Sequence, residues 1–292
     1  MTKHKSGFVN ILGKPNVGKS TLMNAFLGEK LSIITPKAQT TRHRILGIAN
    51  GENYQIVFSD TPGILKPNYK LQEQMMQYVW TALDDADLFI VMAEINDTPE
   101  NNEVLERVRS KGMPVLLLIN KIDLSKQDEV MLAISKWEKA FPEWLVLPIS
   151  ALVGFNIDTV FEKILELLPE SPPFYSKDDI TDKPVRFFIS EIIREKILMN
   201  FHQEIPYSVE VEVESYKEEG KLVRIRCNIH VARNSQKGIL IGHQGKALKK
   251  IGMEARKDIE TFIEKQVFLE LFVKVSKNWR EDEMLLKRFG YK

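Results

Sequence analysis

The sequence predicts an α/β domain built on a mostly parallel sheet, followed by a smaller α+β domain. Three observations carry this reading. In the first half, continuous apolar runs such as residues 88–93 and 115–119 alternate with amphipathic stretches, the pattern of strands covered by helices on both faces. In the second half, Val209, Val211 and Val213 alternate with Glu210, Glu212 and Glu214, the pattern of a strand buried on one face only. Between the halves, Pro169-Glu170-Ser171-Pro172-Pro173 opens a polar, proline-rich connector. The expected organisation is residues 1–170, a connector over 171–182, and residues 183–292.

Each element has its own local signal. Residues 8–12 form an apolar strand that runs into a glycine-rich turn and then a helix over 21–27. Residues 45–48 and 54–58 flank Asn50-Gly51, a hairpin signal that inserts one antiparallel pair. Residues 71–83 read as a helix, 88–93 as a strand, and 101–111 as a helix stopped by Gly112. A strand over 115–119, a helix over 128–140, a strand over 145–149 and a helix over 157–168 complete the first domain. In the second, residues 185–201 carry Phe188, Ile189, Ile192, Ile193 and Ile197 at helical spacing. Val223, Ile225, Cys227, Ile229 and Val231 continue the alternation beyond a turn at Gly220. The charged sides of these two strands are expected to set glutamates opposite arginines on a solvated face. A helix over 246–265, a strand over 267–275 and a short helix ending at Gly290 close the chain.

Composition narrows the function classes. The net charge of +1 over 292 residues gives no global argument for a polyanionic partner. The distribution is more telling: 23 Lys and Arg stand against 19 Asp and Glu from residue 176 onward, and 18 against 21 before it, so the basic excess is C-terminal. A lone cysteine, Cys227, excludes an internal disulfide and, on the apolar side of its strand, reads as structural. That usage suits a reducing cytosol. No apolar run approaches a membrane span, and the first apolar segment is broken at once by Gly13-Lys14-Pro15, so no signal peptide is expected. His43, His202, His230 and His243 lack metal-ligand spacing; His243 alone is read as a residue that touches a ligand.

The chemistry begins at Gly13-Lys14-Pro15-Asn16-Val17-Gly18-Lys19-Ser20, with Thr21 opening the helix behind it. Gly-x4-Gly-Lys-Ser is the spacing of a phosphate-binding loop. Glycines let backbone N–H groups curl around an anion, and the following helix adds the positive end of its dipole. Lys19 then places a charge on the terminal phosphates, and the Ser20 hydroxyl is suited to Mg2+. Asp60-Thr61-Pro62-Gly63 follows the next parallel strand, where a carboxylate holds Mg2+ through water and the Gly63 N–H reaches the γ-phosphate. Asn120-Lys121-Ile122-Asp123 follows the strand over 115–119. A carboxylate at Asp123 accepts the ring N–H and exocyclic amine of guanine, which adenine does not offer. Ser150-Ala151-Leu152 follows the next strand and supplies a backbone N–H for the guanine carbonyl. Four motifs in order, each at the carboxyl end of a strand of a parallel sheet, point to GTP and GDP.

These residues, with Gln39-Thr40-Thr41-Arg42-His43-Arg44 and Ile64, resemble the translation-factor-like GTPases and the Era family in particular. The resemblance implies a P-loop GTPase domain in which a threonine of the Thr-rich stretch joins the Mg2+ shell; Thr41 is preferred and Thr40 is the alternative, which the sequence does not separate. Lys19, Thr41 and Gly63 then form the catalytic set, and Ser20, Thr41 and Asp60 the Mg2+ set. Many GTPases carry a glutamine where this chain has Ile64, which implies slow intrinsic hydrolysis raised by a partner or a cation. In related families an asparagine at the Asn16 position helps to hold K+; stabilisation of the loop alone is the equal alternative.

In the second half, Gly242-His243-Gln244-Gly245 lies between two helical segments and resembles the Gly-x-x-Gly loop of a KH domain, with the element order of the bacterial, type II form. Such loops clamp a nucleic-acid backbone. Between Arg233 and Lys257 seven basic residues, Lys246, Lys249 and Lys250 among them, stand against Glu254 alone, which supplies the electrostatic component. Ile239, Ile241, Leu248 and Ile251 are candidates for the floor of a groove or for core. The resemblance spans both domains. It implies a bacterial protein that binds the 3′ region of small-subunit ribosomal RNA, acts in biogenesis of the small ribosomal subunit, and changes RNA binding with nucleotide state; nothing in the sequence demands a dimer, so a cytoplasmic monomer is expected. Two rivals stand beside it: a GTPase peripheral to the cytoplasmic face of the cell membrane, and an RNA-modifying enzyme, for which residues 185–292 hold no catalytic constellation.

Overall fold

The computed structural model describes residues 4–99 and 103–291. The chain divides into two compact units. The first comprises residues 1–32, 41–66 and 75–182, and the second residues 33–40, 67–74 and 183–292.

The first unit is built on a six-stranded sheet ordered β2-β3-β1-β4-β5-β6. Its strands are β1 (Lys5–Gly13), β2 (Ile45–Asn50), β3 (Tyr54–Asp60), β4 (Leu88–Glu94), β5 (Val115–Asn120) and β6 (Leu145–Pro148). β2 alone runs antiparallel, paired with β3 from Ile45–Asp60 to Asn50–Gln55, as the Asn50-Gly51 signal implies. β1 is central and pairs in parallel with β3 and β4. The apolar runs are continuous because both faces are covered; β5, for example, is buried at every position. Helices α1 (Lys19–Leu27), α2 (Lys70–Asp84), α3 (Glu103–Ser110), α4 (Gln127–Ala140) and α5 (Ile157–Leu167) follow their strands. The start of the third helix, expected at Asn101, lies outside the described residues. One core gathers Leu12, Val79, Phe89, Leu117, Val108 and Trp137. The connector is pinned to the sheet: the Phe174 and Tyr175 N–H groups donate to Gln55 Oε1, and Ile180 O accepts from Ile48 N.

The second unit holds α6 (Val185–Asn200), α7 (Ile205–Ser208), β7 (Val209–Glu219), β8 (Leu222–Val231), α8 (Asn234–Ile241), α9 (Lys246–Ile263), β9 (Gln266–Val275) and α10 (Glu283–Arg288). Its sheet is ordered β7-β8-β9, with β7 antiparallel and β9 parallel to β8. Ile193, Ile197, Ile225, Ile229, Leu240 and Ile251 share its core. Cys227 lies buried among them, and burial pushes its thiol up to about 12.

Two expectations for this sheet fail. A β-bulge at Glu214 shifts the register, so Ser215 faces Arg226 and Lys217 faces Arg224 instead of glutamates. Arg224 instead meets Glu219 at 2.7 Å, and Arg226 meets Glu270 on β9 at 3.6 Å. Nor is the charged side solvated throughout. At the Val209 end, Glu210 and His230 are buried, with the Tyr291 hydroxyl donating to Glu210 at 2.8 Å and Phe289 packed on His230. The residues after β9 fold back over that end, which alternation within one strand cannot signal.

Candidate nucleotide and nucleic-acid sites

β1 delivers the phosphate loop at the carboxyl edge of the sheet. Gly13, at φ +154°, lies so close to β4 that a Cβ would sit 2.6 Å from the Met92 carbonyl oxygen. Asn16 (φ +62°) and Gly18 (φ +107°) complete the curl. A Cβ on Gly18 would strike the Asn120 amide, so glycine is required there for both conformation and space. α1 starts at Lys19 with no side-chain cap, which leaves its first N–H groups for an anion.

Lys19 is buried and turned back into the loop, donating to the Gly13 and Lys14 carbonyls at 3.1 and 2.9 Å. Burial lowers its pKa to about 8, against the opposing pull of Asp60. Beside it, Ser20 Oγ donates to Asp60 Oδ2 at 2.7 Å, and Thr41 Oγ1 lies 2.9 Å from Ser20 Oγ and 3.3 Å from Asp60 Oδ2. Asp60 Oδ1 is buried without a hydrogen bond among the described residues, and burial raises the carboxyl's pKa. Two hydroxyls and a carboxylate with a bare oxygen make a set of hard donors that fits Mg2+. Thr40 points elsewhere: its hydroxyl bonds to Thr35 Oγ1 and Lys37 O, each at 2.6 Å.

Asp60-Thr61-Pro62-Gly63 is tied to the same loop. Thr61 Oγ1 donates to Ile11 O, Ile64 N donates to Gly13 O, and a Cβ on Gly63 would lie 2.6 Å from Pro15 Cα. The Ile64 side chain packs onto the core.

At the base end, Asn120 joins three segments. Its amide donates to Val17 O at 2.7 Å and accepts from Ala151 N at 2.9 Å. The sequence marks Asn120 as a motif residue but does not reveal this bridging. Lys121 takes φ +64° and pairs with Glu94. Asp123 is exposed and oriented by a 2.5 Å bond from Ser150 Oγ. Ser150 N–H donates to Phe155 O and Ala151 N–H to Asn120, so of the three backbone N–H groups that of Leu152 stays uncommitted among the described residues.

In the second unit, Gly242 (φ +71°), Gln244 (φ +52°) and Gly245 (φ +76°) turn the chain between α8 and α9. His243, Gln244, Lys246, Lys249 and Lys250 are exposed there. Beside the loop is a groove of about 370 Å³ lined by Leu248, Lys249, Met253 and Arg256 of α9 and Leu269 and Leu271 of β9. Of the four apolar candidates, Leu248 lines the groove, Ile251 is core, Ile241 packs partly buried against that core, and Ile239 is half exposed. Met253, Leu269 and Leu271 carry no separate signal in the sequence, since helical and strand periodicity read as core whether or not a neighbouring element covers the whole face. Among the described residues no cluster of His, Cys, Asp and Glu has metal-site geometry, and no helix is long and apolar enough to cross a membrane.

The fold and these two sites define a P-loop GTPase joined to a KH domain. Family models agree: residues 8–121 match the 50S ribosome-binding GTPase family and residues 204–280 the KH domain. GTPase Era of Geotalea daltonii is 45% identical over 98% of this chain and 97% of its own length. A tyrosine-to-alanine variant of Era from Aquifex aeolicus, bound to GDP.AlF4-, superposes with a TM-score of 0.95 at 40% identity, covering 98% of this chain and 99% of that one. An Era structure in complex with MgGDPNP and nucleotides 1506-1542 of 16S ribosomal RNA also gives 0.95 at 40% identity, with 99% of each chain covered. The chain belongs to the Era family of GTPases.

Proposed function

We propose that this protein binds GTP and GDP, hydrolyses GTP slowly with Mg2+, binds the 3′ region of small-subunit ribosomal RNA, and acts in biogenesis of the small ribosomal subunit. The observation that carries the enzymatic part is the convergence of Ser20, Thr41 and the bare Asp60 oxygen beside Lys19. The RNA part is supported by the groove beside Gly245 and by the solved Era complex with 16S ribosomal RNA.

In this reading residues 13–21 hold the phosphates, with Lys19 released from the Gly13 and Lys14 carbonyls to the β- and γ-oxygens. Ser20, Thr41 and Asp60 are the Mg2+ residues; the ion neutralises charge on the phosphates when bound. Gly63 N–H meets the γ-phosphate, so Lys19, Thr41 and Gly63 stabilise the developing charge. Asn120, Lys121 and Asp123 with Ser150, Ala151 and Leu152 select guanine. Ile64 offers no side chain to orient water, so the intrinsic rate is slow. Asn16 is the residue to hold K+, and hydrolysis faster in KCl than in NaCl at equal ionic strength is the expected sign; equal rates overturn it.

Gly242, His243, Gln244, Gly245, Lys246, Lys249 and Lys250 bind RNA. The working domains are residues 1–170 and 183–292, in a monomer of the cytoplasm, with the cytoplasmic face of the membrane as the competing location. The decisive experiment pairs Asp123→Asn, which should move preference from GTP towards xanthosine triphosphate, with crosslinking to total RNA. Unchanged GTP preference, or no crosslinks within residues 242–271, overturns the corresponding half. Lipid binding that survives Gly245→Asp would favour the membrane location.

A further inference from the structure

Arg44 closes the Thr-rich stretch, one residue before β2, and the groups its guanidinium binds all lie with it in the first compact unit. Its fork meets Asp85, just beyond α2: Nη1 donates to Oδ2 at 2.6 Å and Nη2 to Oδ1 at 2.8 Å. Nε donates to Ser59 Oγ at 2.7 Å, and Nη2 reaches Asn10 Oδ1 at 3.3 Å. Asn10 in turn donates to Asp85 Oδ1 at 2.8 Å and to the Ala82 carbonyl in the last turn of α2. Asn10 and Ser59 are fully buried and face each other across β1 and β3. One guanidinium thus joins β1, β3, the end of α2 and the residue that leads into β2.

Both chain segments held this way carry Mg2+ residues of the proposed site. Ser59 immediately precedes Asp60, and Arg44 follows Thr41 by three residues. The backbone ladder between β2 and β3 begins only at Ile45–Asp60, so residues 41–44 lie beyond it and the Arg44 side chain supplies a tie the ladder does not. Arg42 and His43, between Thr41 and Arg44, are buried, and the His43 ring packs towards Tyr78 of α2 with centroids 6.0 Å apart. From this we infer that Arg44, oriented by Asp85, is a positioning residue for GTP hydrolysis: it anchors residues 41–44 on Ser59 and so keeps the Thr41 hydroxyl at Ser20 and Asp60. A bidentate, charge-assisted pair gives direction as well as strength. Lysine, a single point donor, cannot serve a carboxylate and a hydroxyl with one planar fork. The inference rests on the reading of Thr41 as an Mg2+ residue.

The test uses the full chain with Arg44→Gln, Arg44→Lys, Asp85→Asn, Thr41→Ala and the double variant Arg44→Gln/Thr41→Ala. Single-turnover hydrolysis should fall on the order of tenfold in Arg44→Gln, a charged hydrogen bond's worth of positioning. The Mg2+ concentration for half-maximal rate should rise severalfold. Affinity for a fluorescent non-hydrolysable GTP analogue should drop in step, while affinity for the matching GDP analogue stays within about twofold. Arg44→Lys should recover little of the rate, since it restores the charge without the fork. The double variant should be no slower than Thr41→Ala alone, because both lesions remove one arrangement. A lower melting temperature with unchanged Mg2+ dependence would make Arg44 a packing residue only and overturn the inference; so would additive losses, or equal loss of GDP and GTP-analogue affinity. If Arg44→Gln does not fold, Arg44→Lys and Asp85→Asn carry the same comparison. Absence of hydrolysis in the unaltered chain would instead sink the GTPase reading itself.

Discussion

The two glycine loops of this protein solve opposite problems. In the loop of residues 13–20, every reactive group is already wired to another: Lys19 to two carbonyls, Ser20 to Asp60 and Thr41, and Gly18 against the Asn120 amide. In the loop of residues 242–245 the side chains are exposed, and a Cβ on Gly245 would meet nothing within 4 Å. The first is a pre-organised cradle whose polar groups are held in a buried site, where electrostatics are strong and errors costly. The second is an open surface, where charge and close backbone approach supply the affinity. Damage to the first should therefore reach both binding and folding, while damage to the second should reach binding alone.

The sharpest way to break that contrast is Gly18→Ala. It adds a side chain at φ +107° and against Asn120, so GDP affinity should fall by a factor of about 100 or more and the fold should lose roughly 2–4 kcal/mol. Nucleotide titration and denaturant melts check both. Next in size is Lys19→Met. With its pKa near 8 in place of 10.5, Lys19 carries its charge in the folded, nucleotide-free chain at a cost of about 3 kcal/mol. The folded state binds that proton less tightly than the unfolded one. The penalty is therefore full below pH 8 and fades as pH rises towards 10.5. Lys19→Met should abolish nucleotide binding yet melt higher than the unaltered chain without nucleotide, with the gap closing over that window. A lower melting temperature at pH 7 would mean that the cradle is not strained by its own lysine.

On the open surface, Gly245→Asp should weaken RNA binding on the order of tenfold or more by adding a negative charge where phosphate approaches. Its stability should fall by about 1–2 kcal/mol, the strain of a positive-φ residue, and hydrolysis without RNA should be unchanged. The smallest effect is expected for Lys249→Ala: a severalfold loss of RNA affinity, with the slope of log affinity against log salt reduced by about 0.7 for a single strand. Loss of nucleotide affinity in either variant would remove the distinction between the two loops.

Much of this was legible in the chain because each motif is local. The curl at Gly13 and Gly18, the strand before it and the helix behind it occupy twenty residues, and their chemistry follows from residue type and spacing. The same holds for Asp123 and for Gly242 to Gly245. What was illegible involves partners distant in sequence. The bulge at Glu214 broke an expected row of glutamate–arginine pairs between β7 and β8, leaving a diagonal pair, Arg224–Glu219, and sending Arg226 across to Glu270 on β9. Glu210 reads as a solvated charge because nothing near it in the sequence announces Tyr291.

The sequence by itself determined the strands and helices of the first unit, the glycine turn of residues 13–20 and the position of the Asn120–Asp123 motif at a strand end, and the helix–loop–helix of the second, since backbone conformation and periodicity are set by near neighbours. Only the tertiary structure decided which threonine stands at Asp60, which backbone N–H groups Asn120 consumes, and that Arg44 joins Ser59 to Asp85. A hydrogen bond is defined by distance in space and leaves no periodic trace in the chain that makes it.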